Sequence, residues 1–325
     1  MNVIYVADNN YIKYFGPSVV SLFENNRDLA ELNVFLLCPD ISKENREKIG
    51  CLEESYGRTI TVQDISEYTD RLDFNAKTNG FNGIITAKLL IAAYLPEHVH
   101  EALLLDCDTI VSGSLSELEA IDFNGNLTFA VPELYISPDY KETIGMRKEE
   151  TYFNSGVMLI DVDAWRREHL ADSFLEYYKS KNGELLFADQ DVVNHCCRGR
   201  IGVLPQKYNL NTNLPYFPMK YMRRIRPEYV YEPESAYKDA ISNPAVIHYL
   251  GDERPWVKGN FNIYRERFEK YKALSPWNNE PCVQGRELFL FCYHGLNLIT
   301  RIFPSFRSWF SRNIGMKEFK LIGKN

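Results

Sequence analysis

The sequence predicts an α/β fold, a single nucleotide-binding-type mixed sheet flanked by helices, followed by a helical, basic and aromatic C-terminal appendage. Three observations carry that expectation. The first part of the chain alternates short β-rich runs with helical patterns in β-α-β-α-β order, which within one sheet means parallel strands and right-handed crossovers. Further on, the apolar run Ala102–Leu105 reads as a buried strand that delivers Asp106-Cys107-Asp108 before Ile110-Val111 resume the pattern. Charge, finally, is unevenly spread. The 325 residues carry a formal net charge of -7, yet residues 286–325 hold seven Lys/Arg against two Glu, leaving 30 basic and 42 acidic residues before them.

The elements follow in order. Asn2–Ala7 is a strand ending in the polar turn Asp8-Asn9-Asn10-Tyr11, and Gly16-Pro17 opens a helix through Asn26. Asn33–Cys38 is the second strand, Ser42–Tyr56 a helix with Ser42 as its N-cap, and Thr59–Gln63 the third strand. Thr69–Gly83 reads as a mobile loop, and Ile84–Leu95 as a helix carrying Lys88 and closed by Pro96. Leu127–Pro132 is a strand ending at Glu133, and 133–150 a second loop. Phe153-Asn154-Ser155-Gly156 leads into the strand Gly156–Asp161, and Val162–Lys181 has helical periodicity. Asp189-Gln190-Asp191 starts a helix to about Cys197. Ala245–Leu250 is a strand delivering His248 to the loop Gly251–Trp256, Phe261–Lys272 a helix, and Pro276 and Pro281 bracket a linker. The expected organisation is a body over 1–275 and an appendage over 282–325.

Composition narrows the classes. The acidic body excludes general nucleic-acid affinity. No basic region precedes the first strand and no window of 18 residues is uninterruptedly apolar, so a cytoplasmic protein is expected. Seven cysteines without C-x-x-C spacing read as reduced thiols. The first strand is not followed by G-x-G-x-x-G, which argues against a dinucleotide cofactor.

Asp106 and Asp108 stand at i and i+2, so in an extended chain they face one side. Two such charges repel and are costly to desolvate unless a cation lies between them, and carboxylates suit Mg²⁺ or Mn²⁺. The alternative is a solvated turn. Among six histidines, His248 alone ends a strand before a Gly-containing loop and a cation, where the alternative is a satisfied core histidine.

Together, Val6-Ala7-Asp8-Asn9-Asn10-Tyr11, Leu105-Asp106-Cys107-Asp108, Phe153-Asn154-Ser155-Gly156, Asp189-Gln190-Asp191 and His248-Tyr249-Leu250-Gly251-x-x-Arg254-Pro255-Trp256 resemble glycosyltransferase family 8, retaining enzymes of the GT-A fold such as bacterial lipooligosaccharide α-galactosyltransferases. The resemblance spans roughly residues 2–272. It implies Asp106, Asp108 and His248 as ligands of Mn²⁺, with Mg²⁺ as the alternative, and a UDP-sugar donor. It implies Ala7, Asp8, Asn10, Lys88, Asp106, Cys107, Gly251 and Arg254 around the nucleotide, and Asn154, Ser155, Gly156 and Asp189 around the donor sugar. Gln190 falls beneath the anomeric carbon, with Asp189 beside it in the catalytic pair, and Glu133 meets the acceptor. Lys88 stands where the family usually has arginine and Arg254 where it often has lysine, which keeps the charge and changes its geometry. A glutamine amide is a poor nucleophile, so the implied mechanism is front-face return and not a two-carboxylate covalent route. Asp191 reads as a cap or a partner within its own helix.

In the tail, Leu288, Phe289, Cys292, Leu296, Ile299 and Phe303 recur at helical spacing, and Phe306, Trp309 and Phe310 follow among Arg301, Arg307 and Arg312. That pattern fits an anionic membrane surface, against the alternatives of packing on the body or a dimer contact. The expectation is a metal-dependent hexosyltransferase moving galactose or glucose to a glycan or glycolipid at the inner membrane face. An inverting transferase and a catalytically idle stress or scaffold relative are the alternatives.

Overall fold

The structure, a computed structural model, describes residues 1–72, 74, 83–229 and 231–310. Most of the expected 69–83 loop, and the tail from residue 311 with Arg312, lie outside the described residues. Strands β1 (Asn2–Val6), β2 (Asn33–Cys38) and β3 (Ile60–Asp64) are parallel and joined by helices Ile12–Asn25 and Lys43–Tyr56. Strand β4 (Glu101–Leu105) adds in parallel on the other side of β1. Strand β5 (Thr109–Val111) leaves this sheet, whereas β6 (Thr128–Pro132), β7 (Phe153–Asp161) and β8 (Ile201–Val203) complete it in the order β3-β2-β1-β4-β7-β6-β8. Because β7 runs antiparallel to both β4 and β6, the sheet is mixed. Strands β9 (Leu210–Asn211) and β10 (Val246–His248) join β5 in a second, three-stranded sheet.

Alternation along the strands builds a core on each face. Val3, Tyr5, Leu103 and Leu105 point to the side covered by helix Ile12–Asn25, while Ile4, Val6, Ala102 and Leu104 meet Trp165, Phe174 and Val192 on the other. Strand order reverses between β1 and β4. In open α/β sheets that is where a ligand crevice forms, beyond the strands' carboxyl ends. Cys107 closes the gap from below, its buried thiol lying 3.7 Å from the Val6 carbonyl.

Several elements differ from the sequence reading. The aspartates do not alternate within one strand. The chain turns through Asp106-Cys107-Asp108, because the Asp106 amide donates to Gly156 O and the Thr109 amide and hydroxyl close back on Asp106 O. The Asn154-Ser155-Gly156 stretch lies inside β7 and not ahead of it. The first helix starts at Ile12, since the Asp8 carboxylate accepts from the Tyr11 amide and launches the turn, and Pro17 is carried inside it. Residues 83–94 form a 3₁₀ segment (Gly83–Leu90) and one α turn (Ile91–Tyr94) instead of a single helix. The expected 162–181 helix is two helices, broken at His169 (φ 50°), where Glu168 is gripped by both terminal nitrogens of Arg200. Ser137 caps a helix, Pro138–Thr143, within the expected 133–150 loop. The helix expected over 261–272 spans Arg265–Leu274.

The Pro276–Pro281 stretch is fastened to the body. Trp277 is buried, and its indole N–H donates to Asn45 Oδ1 at 2.9 Å. Val283 then pairs with Val257, and helix Glu287–Ile302 turns Leu290, His294, Asn297 and Thr300 inward. Among the described residues no helix is long and apolar enough to cross a membrane, and all seven cysteines are free. Trp277→Ala is expected to lower stability by about 3–5 kcal/mol in urea unfolding, the usual cost of emptying a buried indole site. A loss below about 1 kcal/mol would mean that this segment does not belong to the core.

Candidate active site

Four pieces of the fold meet at the carboxyl end of β4: the turn carrying Asp106 and Asp108, the end of β10 with His248, the first half of β7, and the start of helix Asp189–Cys196. His248 Nε2 lies 3.2 Å from Asp108 Oδ1 and 3.8 Å from Asp106 Oδ2. One ligand atom from each of the three falls within 4.8 Å of the others. His248 is 1% exposed, yet its Nε2 has no hydrogen-bond partner. A buried polar atom left unmatched is costly, so this geometry is one that a further ligand completes. Two carboxylates and an imidazole suit a divalent first-row ion, so the residues fit a metal. Glycine at 156 makes the approach possible, since a Cβ there would collide with the imidazole Cε1 and come within 3.0 Å of Asp106 Oδ2.

Cations flank the acids. Lys88 Nζ is buried 2.5 Å from Asp106 Oδ1 and 3.6 Å from Asp189 Oδ2, and Arg254 Nη2 is 3.6 Å from Asp108 Oδ2. The two aspartates split. Burial, helped by the neighbouring Asp108 charge, pushes the Asp106 carboxyl up against the pull of Lys88. Burial also opposes the Asp108 charge, but His248, Arg254 and Lys88 outweigh it and draw that carboxyl down to about 2. Lys88 is likewise desolvated, and Asp106 and Asp189 more than compensate, so its ammonium is held charged. The Arg254 Nε is buried without a partner, leaving a donor available beside the metal-competent trio.

On the sheet side, Ser155 Oγ donates to Asp189 Oδ2 at 3.0 Å and the Ser155 amide to Gln190 Oε1 at 3.0 Å. Gln190 Nε2 donates to the Tyr152 hydroxyl, which donates to Asp191 Oδ1 at 2.6 Å. Asp191 also accepts from Tyr140 and from the Phe187 amide, so it anchors the helix start to two tyrosines and does not face the crevice. Ala188, just before, holds φ at 42°, a strained non-glycine conformation. Asn154 accepts from the Gly156 amide and from Asn209, and donates to Glu133 Oε2 at 3.1 Å.

Contacts therefore link Lys88, Asp106, Asp108, Glu133, Asn154, Ser155, Gly156, Asp189, Gln190, His248 and Arg254. Ala7 is buried at the end of β1, Asp8 holds its turn and Asn10 is exposed, while Asn9 is engaged by the Ser42 amide and Asn45. Cys107 fills core space, and exposed Gly251 supplies a turn at φ 59°. Sequence reasoning missed Asn209 and Tyr152. Asn209 sits in an irregular, Tyr-rich segment without periodicity, and Tyr152 resembles any buried aromatic flanking a strand.

The family model described as "Glycosyl transferase family 8" matches residues 2–259. The lipopolysaccharide 1,2-glucosyltransferase of Escherichia coli K12 is 26% identical over 285 residues, covering 86% of this chain and 80% of that protein. General stress protein A of Bacillus subtilis is 22% identical over 281 residues, covering 86% and 95% respectively. A crystal structure of the galactosyltransferase LgtC in complex with donor and acceptor sugar analogs superposes with a TM-score of 0.70 at 25% identity, covering 85% of this chain and 96% of that one. The shared architecture is the GT-A fold.

Glu133 provides a pH test of the site. Burial raises its carboxyl above the usual 4.5, against hydrogen bonds from Asn154 and the Tyr135 amide. A raised folded-state value means that stability present at low pH is lost as pH climbs through it. Glu133→Gln keeps an acceptor for Asn154 and removes that loss. The melting temperature of Glu133→Gln relative to wild type is expected to rise from about pH 4.5 towards neutrality. A difference that stays flat with pH would contradict the assignment.

Proposed function

This chain belongs to glycosyl transferase family 8, and from that premise we propose that it moves galactose or glucose from a UDP-sugar to a glycan or glycolipid acceptor, with retention and hence an α linkage. The observation that carries the reading is the convergence of Asp106, Asp108 and the unsatisfied His248 Nε2 with two flanking cations. Such a trio suits the diphosphate of a nucleotide sugar with its divalent ion, taken here as Mn²⁺ with Mg²⁺ as the alternative. When bound, that ion would neutralise charge on the departing diphosphate.

The chain's own residues do the rest. Arg254, with its free Nε, reaches the phosphate side. Lys88 ties Asp106 to Asp189 in a desolvated place. Asp189 and Asn154 meet sugar hydroxyls, a contact that rejects donors lacking them. Gln190, its oxygen held by the Ser155 amide, lies under the anomeric carbon. An amide in that position stabilises developing positive charge without forming a bond. Glu133 and its partner Asn154 border the acceptor. Ala7, Asp8 and Asn10, at the end of β1, meet the uracil, with Cys107 packed beneath and Gly251 beside the diphosphate.

A competing reading is that of a catalytically idle stress or scaffold relative, and a likeness to a protein named general stress protein A is what raises it. A complete ligand set whose His248 Nε2 is left unmatched favours the transferase. The test is UDP release from a panel of UDP-sugars with Mn²⁺, with and without acceptor. Asp108→Ala is expected to lose about 100-fold or more, a few kcal/mol of transition-state stabilisation, and EDTA to abolish turnover. The product's anomeric proton coupling should read α. A β product overturns retention, and EDTA-insensitive turnover overturns the metal.

The appendage, from residue 282, is proposed to rest on an anionic membrane at the cytoplasmic face. Leu288, Phe291, Leu298 and Ile302 recur on one side of helix Glu287–Ile302, each more than 60% exposed. The surrounding cations each contribute on the order of 1 kcal/mol near such a surface, screened by salt. Full-length protein is expected to sediment with phosphatidylserine vesicles, and the triple variant Leu288→Glu, Phe291→Glu, Leu298→Glu to remain in solution with its melting temperature unchanged. Equal sedimentation of the two would remove the membrane reading.

A further inference from the structure

The hydrogen bonds behind His248 have a direction, and a backbone amide sets it. Gly156 N–H can only donate, and it donates to Asn154 Oδ1 at 2.9 Å. That identifies the carbonyl end of the Asn154 amide, and its NH₂ end accordingly faces the Glu133 carboxylate, which can only accept when ionised. Asn209 lies 2.8 Å from the same Asn154 oxygen, so it must present its NH₂ there. Its own oxygen is then turned to His248 Nδ1, at 2.9 Å. An oxygen facing Nδ1 requires a proton on Nδ1. In the neutral ring that leaves the lone pair on Nε2, the nitrogen aimed at Asp106 and Asp108.

The arrangement has a built-in competitor. With the proton on Nε2, an N–H would point into the space shared with Asp108 Oδ1, 3.2 Å away, and occupy the position where a metal would bind. In that form Nδ1 would set a lone pair against the oxygen of Asn209. Asn209 is 3% exposed, Asn154 7% and His248 1%, so water has little access to repair the mismatch. The backbone reinforces the alignment. Asn209 directly precedes β9, whose Asn211 pairs with His248 in the parallel β9–β10 register.

We propose that Asn209 is a positioning residue that fixes His248 in its Nδ1–H tautomer, with Asn154 and the Gly156 amide fixing Asn209 in turn. This rests on the metal reading above, and it concerns a residue outside the Asp106, Asp108 and His248 ligand trio. Outer partners of metal-bound histidines typically govern affinity by 10–100-fold.

The test uses the full chain labelled with ¹⁵N-histidine, metal-free, at a pH where the imidazole is neutral, together with titration of Mn²⁺ alone followed by the electron spin resonance of the free ion. Wild type is expected to show Nδ1–H at His248. Asn209→Leu, nearly the same size and without polar atoms, is expected to populate Nε2–H and to bind Mn²⁺ about 10–100-fold more weakly. Asn209→Asp gives up the donation to Asn154 Oδ1 but restores an acceptor at Nδ1, so it is expected to return the Nδ1–H signature and Mn²⁺ binding tighter than in the leucine variant. That rescue would not follow from a merely structural role, and it also covers the case in which the leucine variant fails to fold. If Asn209→Leu keeps Nδ1–H and wild-type Mn²⁺ affinity, or if Asn209→Asp behaves like the leucine variant, the proposal is overturned. Should wild type itself fail to bind Mn²⁺, the metal reading falls, and the tautomers alone still decide the role of Asn209.

Discussion

Three carboxylates, Asp106, Asp108 and Asp189, gather where β4 and β7 come together, and the surroundings are arranged around keeping that charge in place. Repulsion between desolvated acids at such distances would scatter them in an unsupported loop. Lys88 holds two of them from a buried position, Arg254 faces the third, and His248 closes the ring. The divergent titration of Asp106 and Asp108 follows from that unequal support. Burial opposes both, but Asp106 has a like charge against it as well, and Asp108 has three positive or polar partners. A divalent ion in the remaining space would relieve both.

The fold supplies what these charges require. Two sheets meet at the Asp106–Asp108 turn, because β4 belongs to one and β5 to the other. The turn is therefore pinned at both ends. β7 contributes through what Gly156 lacks and what its backbone donates: the missing side chain admits the imidazole, and the amide orients Asn154. Ser155, between them on β7, ties to Asp189 and Gln190, so metal side and sugar side share one strand.

Much of this was legible in the sequence, and the limits have physical causes. The β-α-β-α-β run and the ends of β4 and β10 were readable because fully buried parallel strands form apolar runs with abrupt polar ends. The Asp106–Asp108 spacing singled out the pair that the structure brings to His248, for an incomplete reason. It assumed an extended chain, whereas a turn created by Gly156 O and Thr109 aims the carboxylates, and such long-range contacts leave no local pattern. The break at His169 was hidden because the apolar spacing continues across it, and the Glu168–Arg200 pair that secures it joins residues far apart in sequence. Asn209 was invisible for the same reason. A single asparagine gains meaning only when β9 lays it against His248.

The C-terminal helix brings these arguments together. Its inner face is tied to the loop that bears Arg254: Asn297 donates to Glu253 Oε1 at 2.7 Å, and Arg286, its N-cap, pairs with Asp252 at 2.7 Å, while Asn262 from the loop's own side donates to Glu253 Oε2 at 2.8 Å. Glu253 is fully buried, and burial pushes its carboxyl up even though Tyr293, Asn297 and Asn262 all stabilise the charge. A buried carboxylate of this kind is costly to leave unpaired, so the helix that supplies Asn297 cannot detach without unsettling Asp252-Glu253-Arg254. The helix thus has two unlike faces. The polar inner one is committed to the loop beside the candidate metal site, and the apolar outer one is left to solvent. The apolar spacing read from the sequence shares only Leu288 with the outer face and passes over Phe291, Leu298 and Ile302, while the inner bonds rest on single polar residues that periodicity does not register.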